Sequence, residues 1–137
     1  VRVLPDGSQR RGDRTGWIDA ADIAAVAARV LLEPGPVADE HVLTGPETFG
    51  YAEAARTIAE TTGRPVRHTP ATVTETVRRN LDAGVPEPFA AALAKVDTDI
   101  AEGRVDRVTD TVHRLTGRPP RSFADFARAH QQRWSAV

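Results

Sequence analysis

Residues 15–31, "TGWIDAADIAAVAARVL", decide how the chain is read. A short apolar run, Thr15 to Ile18, gives way to a stretch in which Ile23, Val26, Ala27, Val30 and Leu31 recur at helical spacing. That period places one apolar stripe on an amphipathic helix. Asp19 and Asp22 stand at the junction. Two carboxylates could serve acid–base or metal chemistry, but their position favours a helix start. Asp19 can accept an amide bond of the first turn, and Asp22, three residues on, can reach back to the Asp19 amide. Both charges also meet the positive end of the helix dipole.

Working outward, the helix stops at "EPGP" (33–36), where Pro34 lacks an amide hydrogen and Gly35 can reverse the chain. His41 to Thr44 is a second strand candidate, closed by a Gly-Pro turn. A second helix follows over 50–62, with Gly50 at its cap and Glu53 placed to accept from an end amide. "TGRP" ends that helix at 61 and recurs at 116, the same glycine-then-proline stop used twice. Val66 to Thr69 is a third strand candidate. Thr72 with Glu75 and Ser122 with Asp125 are cap pairs opening further helices. The spacing predicts apolar faces at Val73, Val77 and Leu81; at Phe89, Leu93, Val96 and Ile100; at Val108, Val112 and Leu115; and at Phe123, Phe126, Ala127, His130 and Trp134.

The expected class is therefore α/β, with a few short parallel strands, crossover helices and then a helical portion. Residues 1–13 read as a loop or tail, and 14–137 as a single α/β domain. The chain starts at Val1 and holds no methionine, so a longer parent protein is expected.

Composition narrows the chemistry. With 18 basic and 19 acidic residues no net field favours nucleic acid or an anionic membrane. Arg10, Arg11 and Arg14 could meet phosphate, though a solvated loop is the commoner use of such a cluster. No apolar run is long enough to span a bilayer, and a cytoplasmic protein is expected. The absence of cysteine removes disulfides, thiol nucleophiles and cysteine-based zinc sites. His41, His68, His113 and His130 never share a helical turn, so no metal site is expected. No serine stands in a nucleophile elbow, and no G-x-G-x-x-G or Walker loop cradles phosphates. Tyr51 and Lys95 are too far apart in sequence to form the tyrosine–lysine pair of hydride-transfer enzymes. No catalytic residue is assigned.

"GWIDAADIAAVAARVLLEPG", "EHVLTGPETFGYAEAARTIAETTGRPVRHTPAT", "GVPEPF" and "VTDTVHRLTGRPPRSFADFARAHQQRW", in this order, resemble the C-terminal half of the NmrA-like atypical short-chain dehydrogenases. The resemblance implies a Rossmann-like parent whose N-terminal half holds NAD(P)H, with none bound by this chain alone. It implies a substrate-side portion for quinones or related carbonyl compounds, inactive by itself. Arg14, Thr15, Trp17 and His68 are the positions it places nearest the substrate; core packing is the alternative for Trp17. An apolar face left by the missing half would be covered by a second copy or a partner chain. A nucleotide-sensing regulator of the NmrA type, or a non-catalytic interaction module, is the alternative function.

Overall fold

A computed structural model describes residues 13–32 and 40–135. Among these, the helices are α1 (Ala20–Leu32), α2 (Tyr51–Thr62), α3 (Val73–Asp82), α4 (Glu87–Ala101), α5 (Thr111–Thr116), α6 (Phe123–Ala129) and α7 (Gln131–Ser135). They fall into two compact units. One is built from Gly16–Arg67 and Arg107 onward, the other from His68–Asp106 with residues 13–15.

In the first unit α1 packs on α5, and α2 packs on α6 and α7. The helix starts follow their local sequence. The Ala21 amide donates to Asp19 Oδ1 at 2.8 Å, and the Gly50 amide donates to Glu53 Oε2 at 3.1 Å. The Asp125 amide donates to Ser122 Oγ at 3.1 Å. Both "TGRP" glycines close their helices in the left-handed conformation, Gly63 at φ 68° and Gly117 at φ 72°. The Gly63 amide donates to the Ala59 carbonyl and that of Gly117 to His113. Val26, Phe49, Ala54, Ala55, Val112 and Ala127 are buried in this unit.

The expected strands do not form ladders. Residues 16–18, 41–44 and 66–69 carry no strand; among the described residues, extended pairing is confined to single isolated bridge positions at Thr15 and at Phe49. A strand needs a neighbour's row of amides and carbonyls, and here side chains take part of that place. The Thr109 hydroxyl donates to the Val42 carbonyl at 2.8 Å, and the Thr109 amide donates to Thr44 Oγ1 at 2.8 Å. The apolar stripe of α1 is also narrower than its spacing predicts: Val26 is buried, while Ile23 and Leu31 are 45% and 78% exposed. The last predicted helix breaks at His130 into α6 and α7, where the His130 ring sits 2.9 Å from the Phe126 carbonyl.

The second unit is the helix pair α3 and α4. Thr72 and Glu75 form a reciprocal cap: the Thr72 amide donates to Glu75 Oε2 at 2.7 Å, and the Glu75 amide donates to Thr72 Oγ1 at 3.2 Å. The Thr72 amide and hydroxyl hold the Glu75 carboxyl below the usual glutamate pKa. The face of α4 is a correction to the sequence reading. Ala90, Ala94 and Ile100 are buried, whereas Phe89, Leu93 and Val96 are 66%, 48% and 52% exposed. Of the predicted stripe only Ile100 points inward. Small side chains let two helix backbones approach closely, so the alanines win the contact that hydrophobicity alone assigns to Phe89 and Leu93.

Candidate functional site

Trp17 is the centre of an aromatic cluster assembled from three separate stretches of the chain. Its ring stacks on Phe49 (centroids 5.8 Å apart, 16° between planes) and meets Tyr51 edge-on at 5.2 Å. Phe123 lies 5.9 Å away and itself contacts Phe126 at 6.0 Å. Such offset and edge-on pairs are the favoured geometries of aromatic rings. The indole Nε1–H donates to the Phe49 carbonyl at 2.9 Å, which fixes the ring's rotation as well as its depth.

The backbone around Trp17 is crowded. A Cβ on Gly45 would stand 1.9 Å from the Trp17 carbonyl oxygen, and one on Gly16 would stand 2.8 Å from both the Arg107 carbonyl oxygen and Thr44 Cβ. The glycine of "LTGPE" is thus what lets the segment 41–45 lie against the segment carrying Trp17.

Asp22 is not the reciprocal cap partner that its spacing suggests. The carboxylate is turned inward, 8% exposed, and accepts from two donors of one residue: the Arg121 amide at 2.7 Å and the Arg121 guanidinium at 2.9 Å. A buried carboxylate is tolerated only with such charge-assisted bonds. This clamp ties α1 to the loop that opens α6, across a sequence separation of 99 residues. Replacing Asp22 with asparagine keeps one acceptor but removes the charge facing the guanidinium. It is expected to cost about 2 kcal/mol of unfolding free energy in urea titration, less than a fully buried pair because Arg121 is half in solvent.

Between these two features lies a cavity of about 190 Å3 lined by Trp17, Ile18, Asp19, Arg121, Ser122, Phe123 and Phe126. Its lining is mostly apolar with few polar groups, the usual make-up of a small-molecule site. Of the four sequence-assigned positions, Trp17 lines this cavity and is half-buried against the aromatic cluster. Arg14, Thr15 and His68 belong to the other unit. There Arg14 Nε lies 4.0 Å from Asp106, Thr15 is half-buried and His68 is exposed. Sequence reasoning missed Arg121 and Ser122 as lining residues and read Phe123 and Phe126 only as a helix face. The aromatic pair was visible in "SFADF", but nothing local announces that Asp22 would turn that segment toward Trp17.

Comparison with known proteins defines the class. Solved structures that share the fold are Rossmann-like NAD(P)-binding reductases. The NADPH-dependent quinone oxidoreductase of Escherichia coli matches with a TM-score of 0.72 at 24% identity, over 87% of this chain and 44% of that one. The triphenylmethane reductase of Citrobacter sp., complexed with NADP(H), matches with a TM-score of 0.68 at 25% identity, over 88% of this chain and 42% of that one. The α/β expectation thus holds at the level of the fold family, although the described residues here are helical. The relatives that this chain matches in sequence are oxidoreductases, in keeping with the resemblance to the C-terminal half of the NmrA-like atypical short-chain dehydrogenases. The chain is 43% identical over 123 residues to the uncharacterized oxidoreductase YesF of Bacillus subtilis, covering 90% of this chain and 43% of YesF. It is 37% identical over 124 residues to an NAD(P)H azoreductase of Xenophilus azovorans, with coverage of 90% and 43%. It is also 33% identical over 127 residues to an agroclavine dehydrogenase of Claviceps fusiformis. The chain therefore spans less than half the length of the curated relatives it matches. No protein-family model matches it.

Proposed function

We propose that this chain is the C-terminal, substrate-side portion of an NAD(P)H-dependent oxidoreductase that reduces quinones or related carbonyl compounds. The observation that carries the reading is the identity to YesF and the azoreductase along 90% of the chain. An aromatic-walled cavity of a size to take a small ring system supports it. Trp17 is the position of this reading with a structural setting; Arg14, Thr15 and His68 rest on the family resemblance. The exposed apolar side chains of α1, with Leu31 and Leu32 at 78% and 81%, form in this reading the face that a second copy or a partner chain covers.

The dinucleotide does not fit the residues present. The sequence has no glycine-rich turn. The one guanidinium at the cavity is already engaged by Asp22, and the neighbouring Asp19 carboxylate would repel a pyrophosphate. NAD(P)H binding therefore belongs to the remainder of the parent protein, and no redox step is assigned to residues of this chain.

A chimera tests the reading. Residues 14–137 are exchanged for the matching segment of the Xenophilus azovorans azoreductase, and NADPH oxidation is followed with a panel of quinones. The expected result is turnover by the chimera, with no quenching of tryptophan fluorescence when NADPH is added to the 137-residue chain alone. A chimera that folds and binds NADPH but reduces none of the panel would overturn the substrate-side assignment. Micromolar NADPH binding by the chain alone would overturn the placement of the cofactor.

A further inference from the structure

The charge around the cavity points to one class of ligand. It is lined by the aromatic Trp17, Phe123 and Phe126 with the aliphatic Ile18, and its charged lining residues are Asp19 and Arg121. Arg121 does not make the site positive, because its guanidinium and its amide are both bonded to the buried Asp22 carboxylate. Asp19 uses Oδ1 to accept from the Ala21 amide, and its second oxygen has no partner among the described residues. Counting Asp19 and Asp22 as negative and Arg121 as positive leaves one net negative charge. The start of α1 contributes about half a positive charge at most, so the balance stays negative. Neighbouring Asp125 is matched by Arg128 at 2.5 Å.

We infer that the cavity binds a flat aromatic cation, its rings against Trp17, Phe123 and Phe126 and its positive charge toward the free oxygen of Asp19. Aromatic faces carry negative quadrupole density and attract a delocalised cation, most strongly where water is excluded. A dry cavity of about 150 Å3 is known to hold a benzene ring, so the volume of about 190 Å3 here, which is open to solvent, takes a bicyclic ring that projects in part. The inference rests on the reading of this cavity as substrate-side and narrows the acceptors of that reading to those bearing positive charge.

Calorimetric titration of the full 137-residue chain with N-methylquinolinium and with naphthoate, two ring systems of similar size and opposite charge, decides the matter without any turnover. N-methylquinolinium is expected to bind about tenfold more tightly or better at low salt, and the preference is expected to shrink as salt is added. Asp19→Asn retains a side-chain oxygen for the Ala21 amide, and asparagine caps helices as well as aspartate, so the fold is kept. It is expected to reduce the preference to within about threefold. Equal or tighter binding of naphthoate, binding of neither probe, or an undiminished preference in Asp19→Asn or at high salt would each overturn the inference. Because the measurement needs no NADPH, its failure leaves the chimera result standing, and failure of the chimera leaves the binding result standing.

Discussion

Replacing Gly45 by alanine is expected to lower the unfolding free energy by about 3 kcal/mol or more, near the upper end of what a single small-to-large change costs. The new Cβ would stand 1.9 Å from the Trp17 carbonyl oxygen, and a backbone atom cannot swing aside as the tip of a side chain can. The segment 41–45 must then retreat from residues 16–18, which also disturbs the Thr44–Thr109 bonds. Gly63→Ala is the control. Gly63 has φ 68° with nothing within 4 Å of the added methyl, so its cost is conformational, about 1 kcal/mol. Urea titration of the two variants separates the causes. If Gly45→Ala is no worse than Gly63→Ala, the close approach at Trp17 is not a constraint of the fold.

Trp17→Ala is expected to cost about 3 kcal/mol, the lower end of the range for removing a large aromatic side chain, because Trp17 is half-buried. The loss combines the stacked contact with Phe49, the edge contact with Tyr51 and the contact with Phe123, and it leaves the Phe49 carbonyl without its indole donor. Trp17→Phe keeps most of the ring contact and loses the donor, for about 1–2 kcal/mol. The two variants also divide the roles of Trp17. Packing is scored by the unfolding transition, and ligand contact by the affinity of Trp17→Phe for N-methylquinolinium. A cost below about 1 kcal/mol for Trp17→Ala would make the ring a surface residue.

Much of the helical framework was legible without coordinates. Asp19, Gly50, Thr72 and Ser122 all stand at the helix starts their spacing predicts, and Gly63 and Gly117 at the stops. The resemblance to oxidoreductases was legible too, from the order of the motifs. The candidate site was legible only at Trp17. Arg121 is held at the cavity by its bonds to Asp22, and the spacing of Asp22 from Asp19 equally allows a cap role.

Caps and stops are decided within about four residues, since an end amide or carbonyl finds its partner in the same turn of chain. For that reason the amino-acid order alone determined where five of the helices begin or end. Three other matters were settled by segments far apart in sequence. The inward turn of Asp22 depends on an amide 99 residues away. The burial of Ala90 and Ala94 instead of Phe89 and Leu93 depends on how closely α3 approaches α4. Residues 41–44 carry no strand, and their polar groups turn to Thr109. In each case a local pattern offered two or more acceptable partners, and packing chose the one that leaves no buried charge unpaired and no backbone gap unfilled.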